Sequence, residues 1–252
     1  NKNYKEGRKP LRLNRDIKNL TQEEELQNKV WQQLRTMEYL NNFPVIQLVS
    51  NGVEADDVIS FVAQLPDFNG WQKVIVSSDK DFFQLLDDET VVLRPTQQEV
   101  LNKNAIIEKF GIHPTNFALA RAIVGDKSDN LGGVKGIGLP TIAKRLPFLV
   151  EEKTYTIGEV SDYCTNTNSK LKAYQNIAES EDIIRENYQL MQLYSPSISV
   201  QTKTEIKYTV RNSELTLDKT STDGMMLEDG IGKTSWLDLL IVFKKIINGE
   251  KE

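Results

Sequence analysis

Lys73-Val74-Ile75-Val76-Ser77-Ser78-Asp79-Lys80-Asp81 is the stretch on which the fold turns. Its first six residues, rich in β-branched side chains, read as a buried strand. Two aspartates follow where that strand ends. In extended backbone, residues i and i+2 point the same way, so Asp79 and Asp81 are expected to project together from the carboxyl end. Ligands of open α/β sheets bind at that end. Upstream, residues 45–49 after Pro44 read as another short strand. Gly52 breaks it, and residues 54–65 read as a helix turning Ala55, Ile59, Val62 and Leu65 inward. Downstream, residues 82–86 begin a further helix, and 91–93 with 99–101 suit a small hairpin or adjoining strands. Strand and helix alternating at this spacing predict an α/β fold, a mainly parallel sheet flanked by helices.

The rest of the chain reads as mostly helical. Thr21-Gln22-Glu23-Glu24 is a capping box, and Leu26, Val30, Leu34 and Met37 after it share one helical face. Residues 103–110, 115–124, 140–146, 171–193 and 236–247 carry helical patterns, whereas 201–210 alternates like a strand.

Composition bounds the function. The 252 residues are 39% hydrophobic and 27% charged, an ordinary globular balance. No apolar run reaches the roughly 18 residues of a membrane span, since Asp238, Lys244 and Lys245 interrupt the most apolar tail stretch. Cys164 is the one cysteine, so no internal disulfide forms and a reducing cytosol is the expected compartment. The net charge of −5 hides a basic opening: Lys2, Lys5, Arg8, Lys9, Arg12, Arg15 and Lys18 face only Glu6 and Asp16. Local field, not net charge, decides where a polyanion docks.

Three acidic clusters stand at element ends: Glu54, Asp56 and Asp57; Asp79 and Asp81; Asp126 and Asp129. Acidic first turns are ordinary capping, and paired aspartates occur on many surfaces. Three clusters at one sheet edge are harder to dismiss, because close like charges repel unless a cation sits between them. An all-carboxylate set with one histidine in the chain suits Mg²⁺ or Mn²⁺ rather than zinc. The glycine-rich loop 132–138 either makes a tight turn between helices or offers its backbone to a phosphate, with Lys144 and Arg145 following. It is not a Walker loop, since no Gly-Lys-Ser/Thr follows at the right spacing.

GVEADDVIS (52–60), VSSDKDFFQLL (76–86) and GDKSDNLGGVKGIGLPTIAKRL (125–146) in this order resemble the 5′-nuclease (flap endonuclease) family, and Tyr4-Lys5-Glu6-Gly7-Arg8 resembles its arch-foot segment. That family includes phage exonucleases of the ribonuclease H type and the 5′-exonuclease domain of bacterial DNA polymerase I. The resemblance, over residues 4–146, implies a PIN-like nuclease core through 125 with a helical arch over about 1–42. It implies a helix-hairpin-helix DNA-binding region over 126–200, leaving 201–252 as an extension of unknown role. It implies two divalent ions, Mg²⁺ or Mn²⁺. Glu54 and Asp56, with Asp57 nearby, would serve the first, and Asp79, Asp81, Asp126 and Asp129 the second. Lys5 and Arg8 would act on the scissile phosphate and Tyr4 would stack on a terminal base. Gly133, Lys135, Gly136, Gly138, Lys144 and Arg145 would hold duplex DNA, with K⁺ at the hairpin loop.

The implied activity is structure-specific 5′-3′ exonuclease or flap endonuclease hydrolysis of DNA, or of RNA in RNA–DNA hybrids. Removing primers or flaps in replication is the implied setting, in a monomer that meets replication proteins in a bacterial or phage-infected cytoplasm. The family's first two strands carry further aspartates, and no counterpart to those strands precedes the arch here; the chain is therefore expected to begin inside the domain, with its first ion underliganded. The competing readings are a non-catalytic structure-specific DNA-binding protein of the same fold and a small-molecule phosphohydrolase, the latter disfavoured by the basic opening and the hairpin.

Overall fold

The computed structural model describes residues 20–232 and 234–248. In chain order the helices and strands begin with α1 (Gln22–Leu40), α2 (Ala55–Ala63), β1 (Lys73–Val76), β2 (Thr90–Arg94) and β3 (Glu99–Leu101). Next come α3 (Lys103–Phe110), α4 (Phe117–Val124), α5 (Leu139–Arg145), α6 (Ile157–Asn166), α7 (Lys172–Glu179) and α8 (Glu181–Met191). The chain closes with α9 (Val200–Asn212), α10 (Lys219–Glu228) and α11 (Trp236–Asn248). Among the described residues no helix is long and apolar enough to cross a membrane. These elements form two compact units, residues 52–198 and residues 20–51 with the chain after 198.

The first unit is α/β. β1 pairs parallel to β2 with Ile75 opposite Val92, and β2 pairs antiparallel to β3 with Val92 opposite Leu101. Ile75, Val92 and Leu101 thus lie in one row and are all buried. Helices cover that face through Ile106, Phe117, Ile123, Ile142, Leu146 and Leu149. Phe83, Phe110 and Phe117 meet in tilted and edge-on contacts, 5.4 to 6.0 Å between centroids.

After β1 the chain winds at once into a 3₁₀ turn, Lys80–Leu85, where a further helix was expected. The expected inward face of residues 54–65 holds in part: Leu65 is buried and Val62 half-buried, but Ala55 is exposed. Val58 and Ser60 are buried while Ile59 is exposed, because the Ser60 hydroxyl donates to the Leu193 carbonyl and the Gln64 side chain donates to it as well, at 3.1 Å. Residues 171–193 are two helices, broken at Ser180.

Gln84 is the polar centre of this packing. It is 1% exposed, and its amide donates to the carbonyls of Asp81 (2.8 Å) and Met191 (3.0 Å). Its carbonyl oxygen accepts from the Leu193 amide at 2.7 Å. The end of α8 is thereby fixed to the turn that carries Asp81. Cys164 on α6 is 4% exposed, and burial pushes its thiol up to about 11.

In the second unit, α1 starts with the expected capping box, Thr21 with Glu24. Its apolar face is nonetheless exposed: Leu26, Val30, Leu34 and Met37 range from 39 to 62%. The helix is tied down by polar groups instead, Arg35 Nε donating to Asp229 (2.8 Å) and the Tyr39 hydroxyl to the same carboxylate (2.7 Å). Residues 45–49 form no strand among the described residues; Gln47 donates instead to the Met37 carbonyl and the Asn41 side chain, and Val45 and Val49 stay exposed. Residues 201–210 are helical, not a strand. Ser199 caps α9 by accepting from the Thr202 amide, and Ile206 alone is buried, so the alternation of threonines was not a sheet signal. Phe43 packs on Trp236 and Phe243.

Replacing Gln84 with Leu leaves two carbonyls and an amide without partners in the core, and is expected to destabilise the chain by about 2–4 kcal/mol. Denaturant unfolding measures this, and a loss below about 0.5 kcal/mol, within surface-mutation range, would show that water replaces the side chain freely.

Candidate functional site

The acidic segments are shaped by their own backbones before any partner meets them. The Asp79 amide donates to Ser77 Oγ at 3.1 Å, and the Asp79 carboxylate accepts from the Asp81 amide at 2.9 Å, capping the 3₁₀ turn. The two aspartates therefore part company: Asp79 stays exposed while Asp81 turns inward. The second segment follows α4. Asp126 and Leu131 exchange both backbone hydrogen bonds, at 2.9 and 2.7 Å, which closes residues 126–131 into a tight loop. Asn130 sits at φ 58°, a left-handed conformation that asparagine tolerates well. One oxygen of Asp126 accepts from both the amide (2.7 Å) and the hydroxyl of Ser128.

Arg121 joins the two segments. From the middle of α4 its Nε donates to Asp81 at 3.0 Å, and its Nη2 donates to Asp126. The three side chains are only 12%, 17% and 17% exposed. Burial pushes Asp81 up to about 6; Arg121 opposes that rise, while the neighbouring charges of Asp79 and Asp126 add to it. For Asp126 burial also acts upward, but the Ser128 hydroxyl and amide and the guanidinium outweigh it, leaving the carboxyl below its ordinary value. Arg121 is shifted up, burial acting downward and the two aspartates prevailing.

Glu54 stands at the N-cap of α2 without a capping side-chain bond, and Asp56 and Asp57 occupy its first turn, where the helix dipole favours negative charge. α2 packs against the turn that bears Asp81. Among the described residues, however, no group of three or more His, Cys, Asp or Glu side chains is arranged to hold a metal ion. The structure brings Asp81 and Asp126 together on a guanidinium, with Asp79 close enough to act on Asp81. It does not complete a ligand group with Glu54, Asp56, Asp57 or Asp129. The carboxylates have the hard-oxygen character a divalent ion needs, but as arranged they do not fit one. Tyr4, Lys5 and Arg8 lie outside the described residues.

The glycine loop is built against the acidic loop. A Cβ on Gly133 would lie 1.8 Å from the Val124 carbonyl oxygen, and one on Gly125 would lie 2.4 Å from the Gly133 nitrogen. Glycine at both positions lets the two backbones touch. The buried Asn187 on α8 donates to Ala122 O (2.9 Å) and Gly132 O (2.8 Å), holding both sides of the contact. Gly136, at φ 75°, makes the turn, and Gly138 is the N-cap of α5. Lys135, Gly136 and Lys144 are exposed and Arg145 is half-buried. The Lys135 carbonyl accepts from the Asn176 side chain at 3.2 Å.

Sequence reading missed Arg121, Gln84 and Asn187. Each left a faint trace: a cation inside the apolar run Phe117–Val124, a glutamine among Phe82, Phe83, Leu85 and Leu86, and an asparagine in helical register with Ile184 and Met191.

Residues 1–111 match the family model of the 5′-3′ exonuclease N-terminal resolvase-like domain. The chain is 34% identical over 156 residues to a 5′-3′ exonuclease of Aquifex aeolicus, covering 62% of this chain and 50% of that protein. It is 30% identical over 194 residues to a 5′-3′ exonuclease of Buchnera aphidicola, covering 77% and 64%. It spans between half and two thirds of those relatives. A stretch of 95 residues is 43% identical to thermostable DNA polymerase I of Thermus aquaticus, 38% of this chain and 11% of that one. Among solved structures, the phage T5 5′-exonuclease with bound zinc superposes with a TM-score of 0.55 at 21% identity, over 83% of this chain and 71% of that one. The phage T5 flap endonuclease in a pseudo-enzyme–product complex with DNA and metal ions gives the same four values. At such identity these two structures show a shared fold.

Gly133→Ala is expected to cost more than about 4 kcal/mol, since its Cβ has no room without moving α4. Gly132→Ala, where a Cβ meets nothing within 4 Å, is expected to stay within about 1 kcal/mol. Thermal unfolding of the pair checks this, and equal melting temperatures would refute the close contact.

Proposed function

We propose that this chain, which resembles 5′-3′ exonucleases in sequence, is a 5′-nuclease that hydrolyses phosphodiesters near the 5′ end of a DNA strand, or of RNA paired with DNA. One observation carries the reading: the acidic loop 126–131 and the glycine hairpin are one backbone assembly, joined where Gly125 meets Gly133. A hydrolytic centre and a phosphate-gripping hairpin would then move as one piece. Lys135, Lys144 and Arg145 would neutralise backbone phosphates, fixing register without reading sequence. Gly133, Gly136 and Gly138 would let the loop backbone approach the duplex, with K⁺ as its monovalent partner. Tyr4, Lys5 and Arg8 are assigned to the 5′ end and the scissile phosphate.

Glu54, Asp56, Asp57, Asp79, Asp81, Asp126 and Asp129 are the residues proposed to hold two Mg²⁺ or Mn²⁺ ions. In the arrangement described above Asp81 and Asp126 are already satisfied by Arg121, so ion binding requires those contacts to loosen. Primer or flap removal in a bacterial or phage-infected cytoplasm is the proposed setting, with the chain acting as a monomer beside replication proteins. The absence of a ready ligand group among the described residues favours one second reading, a structure-specific DNA-binding protein of the same fold without catalysis.

Two measurements bear on this. Mg²⁺-dependent shortening of a 5′-labelled flap substrate, lost in Asp79→Asn with Asp126→Asn, is expected of a nuclease. Retained flap binding with no cleavage at any Mg²⁺ or Mn²⁺ concentration would favour the second reading. Removing Lys144 and Arg145 together should weaken binding to all duplex sequences alike and flatten log K against log salt by about one unit per lost contact. An unchanged slope would reduce the hairpin to a structural turn.

A further inference from the structure

We infer that Tyr174 and Asn176 on α7 are positioning residues for the grip on duplex DNA: they hold the backbone of the hairpin residues whose side chains meet the phosphates. The inference rests on the hairpin reading above and adds two residues that reading does not contain.

The hairpin is held from outside at both limbs, each time at a residue assigned to a phosphate. In the turn, the Lys135 carbonyl accepts from the Asn176 side-chain amide at 3.2 Å. At the other limb, α5 is seven residues long and capped by Leu146, with no glycine to turn back over its last carbonyls. Those carbonyls need donors from elsewhere, and the Tyr174 hydroxyl donates to the Arg145 carbonyl at 3.3 Å. α7 can serve as a bracket because it is itself anchored. Ile177 is buried in the core, and Ala173, Tyr174 and Ala178 pack against it. The Tyr174 ring also lies edge-on to Tyr163, 6.2 Å between centroids.

The chemistry of the two donors suits a surface that must stay positive. Lys135, Lys144 and Arg145 take part in no ion pair among the described residues, whereas Lys103, Lys109, Lys153 and Arg185 pair with Asp88, Glu99, Glu159 and Glu181. No acidic residue occurs over 131–150 or over 163–178. A hydroxyl and a carboxamide fix the two carbonyls without bringing a carboxylate that would cancel this field. A backbone fixed before contact also has less freedom to lose when DNA binds.

The test is fluorescence anisotropy of a labelled flap duplex, in EDTA so that nothing is cleaved, with the 252-residue chain, Tyr174→Phe, Asn176→Ala and the double variant. Circular dichroism establishes that each is folded. Each single variant is expected to bind about threefold more weakly and the double variant about tenfold. Tyr174→Phe keeps the ring and its packing, and carries the test should the other variants fail to fold. A positioning role must also vanish with the groups it positions. In a chain carrying Lys144→Ala and Arg145→Ala, adding Tyr174→Phe should therefore leave affinity unchanged, since the hydroxyl acts through Arg145. A loss below about twofold in either folded single variant would overturn this inference alone. So would a Tyr174→Phe loss just as large in the chain without Lys144 and Arg145, which would make the tyrosine a DNA contact in its own right. No duplex binding by the parent chain, or binding unmoved by removing Lys144 and Arg145, would sink the hairpin reading and this inference with it.

Discussion

Everything around the candidate site depends on two backbones coming closer than side chains allow. Val124 and Gly125 at the end of α4 press against Gly132 and Gly133, and a single methyl group on Gly125 or on Gly133 would overlap the other side of the contact. That proximity lets the Val134 amide reach the Ile123 carbonyl at 2.8 Å and sets the hairpin beside the acidic loop. Close packing alone would strand the polar backbone groups it buries. Asn187 answers this by donating to a carbonyl on each side.

α8 and the strand-like segment after it act as a common clamp. Asn187 holds the α4 end, while Met191 and Leu193 meet Gln84, and Leu193 also meets Ser60 on α2. One stretch late in the sequence thus fixes three elements that lie far apart earlier in it: α2, the turn after β1 and the loop after α4. The acidic segments keep their relative positions because this shared clamp is buried, uncharged and fully hydrogen-bonded. Charge enters where the elements meet, with Arg121 between Asp81 and Asp126.

What was legible in the sequence was local. The strand over residues 73–76, the paired aspartates, the hairpin glycines and the Thr21 capping box are set by neighbours within a few residues, and the motifs around them carry the resemblance to 5′-3′ exonucleases as well. What was hidden depends on distant partners. Arg121 meets Asp81 across 40 residues, and nothing in the apolar run around it says which carboxylate it will choose. Residues 45–49 are apolar enough for a strand, but a strand needs a ladder, and sequence periodicity cannot supply one. Residues 201–210 misled for the opposite reason, since alternating threonines mimic a strand while Ser199 sets a helix going. The equal spacing of Asp79 and Asp81 suggested side-by-side carboxylates only on the premise that the strand continued; the immediate 3₁₀ turn redirected one of them.

The lone cysteine has a use that its chemistry in the folded chain conceals. Cys164 lies in the core side of α6, and its thiol is held well above the range where a thiolate forms at neutral pH. Thiol reagents attack thiolate, so this sulfur is silent while α6 is packed. Any fluctuation that frees the helix restores an ordinary thiol to solvent. The chain therefore carries a single intrinsic tag whose labelling rate counts how often this unit opens, with no competing cysteine to blur the record.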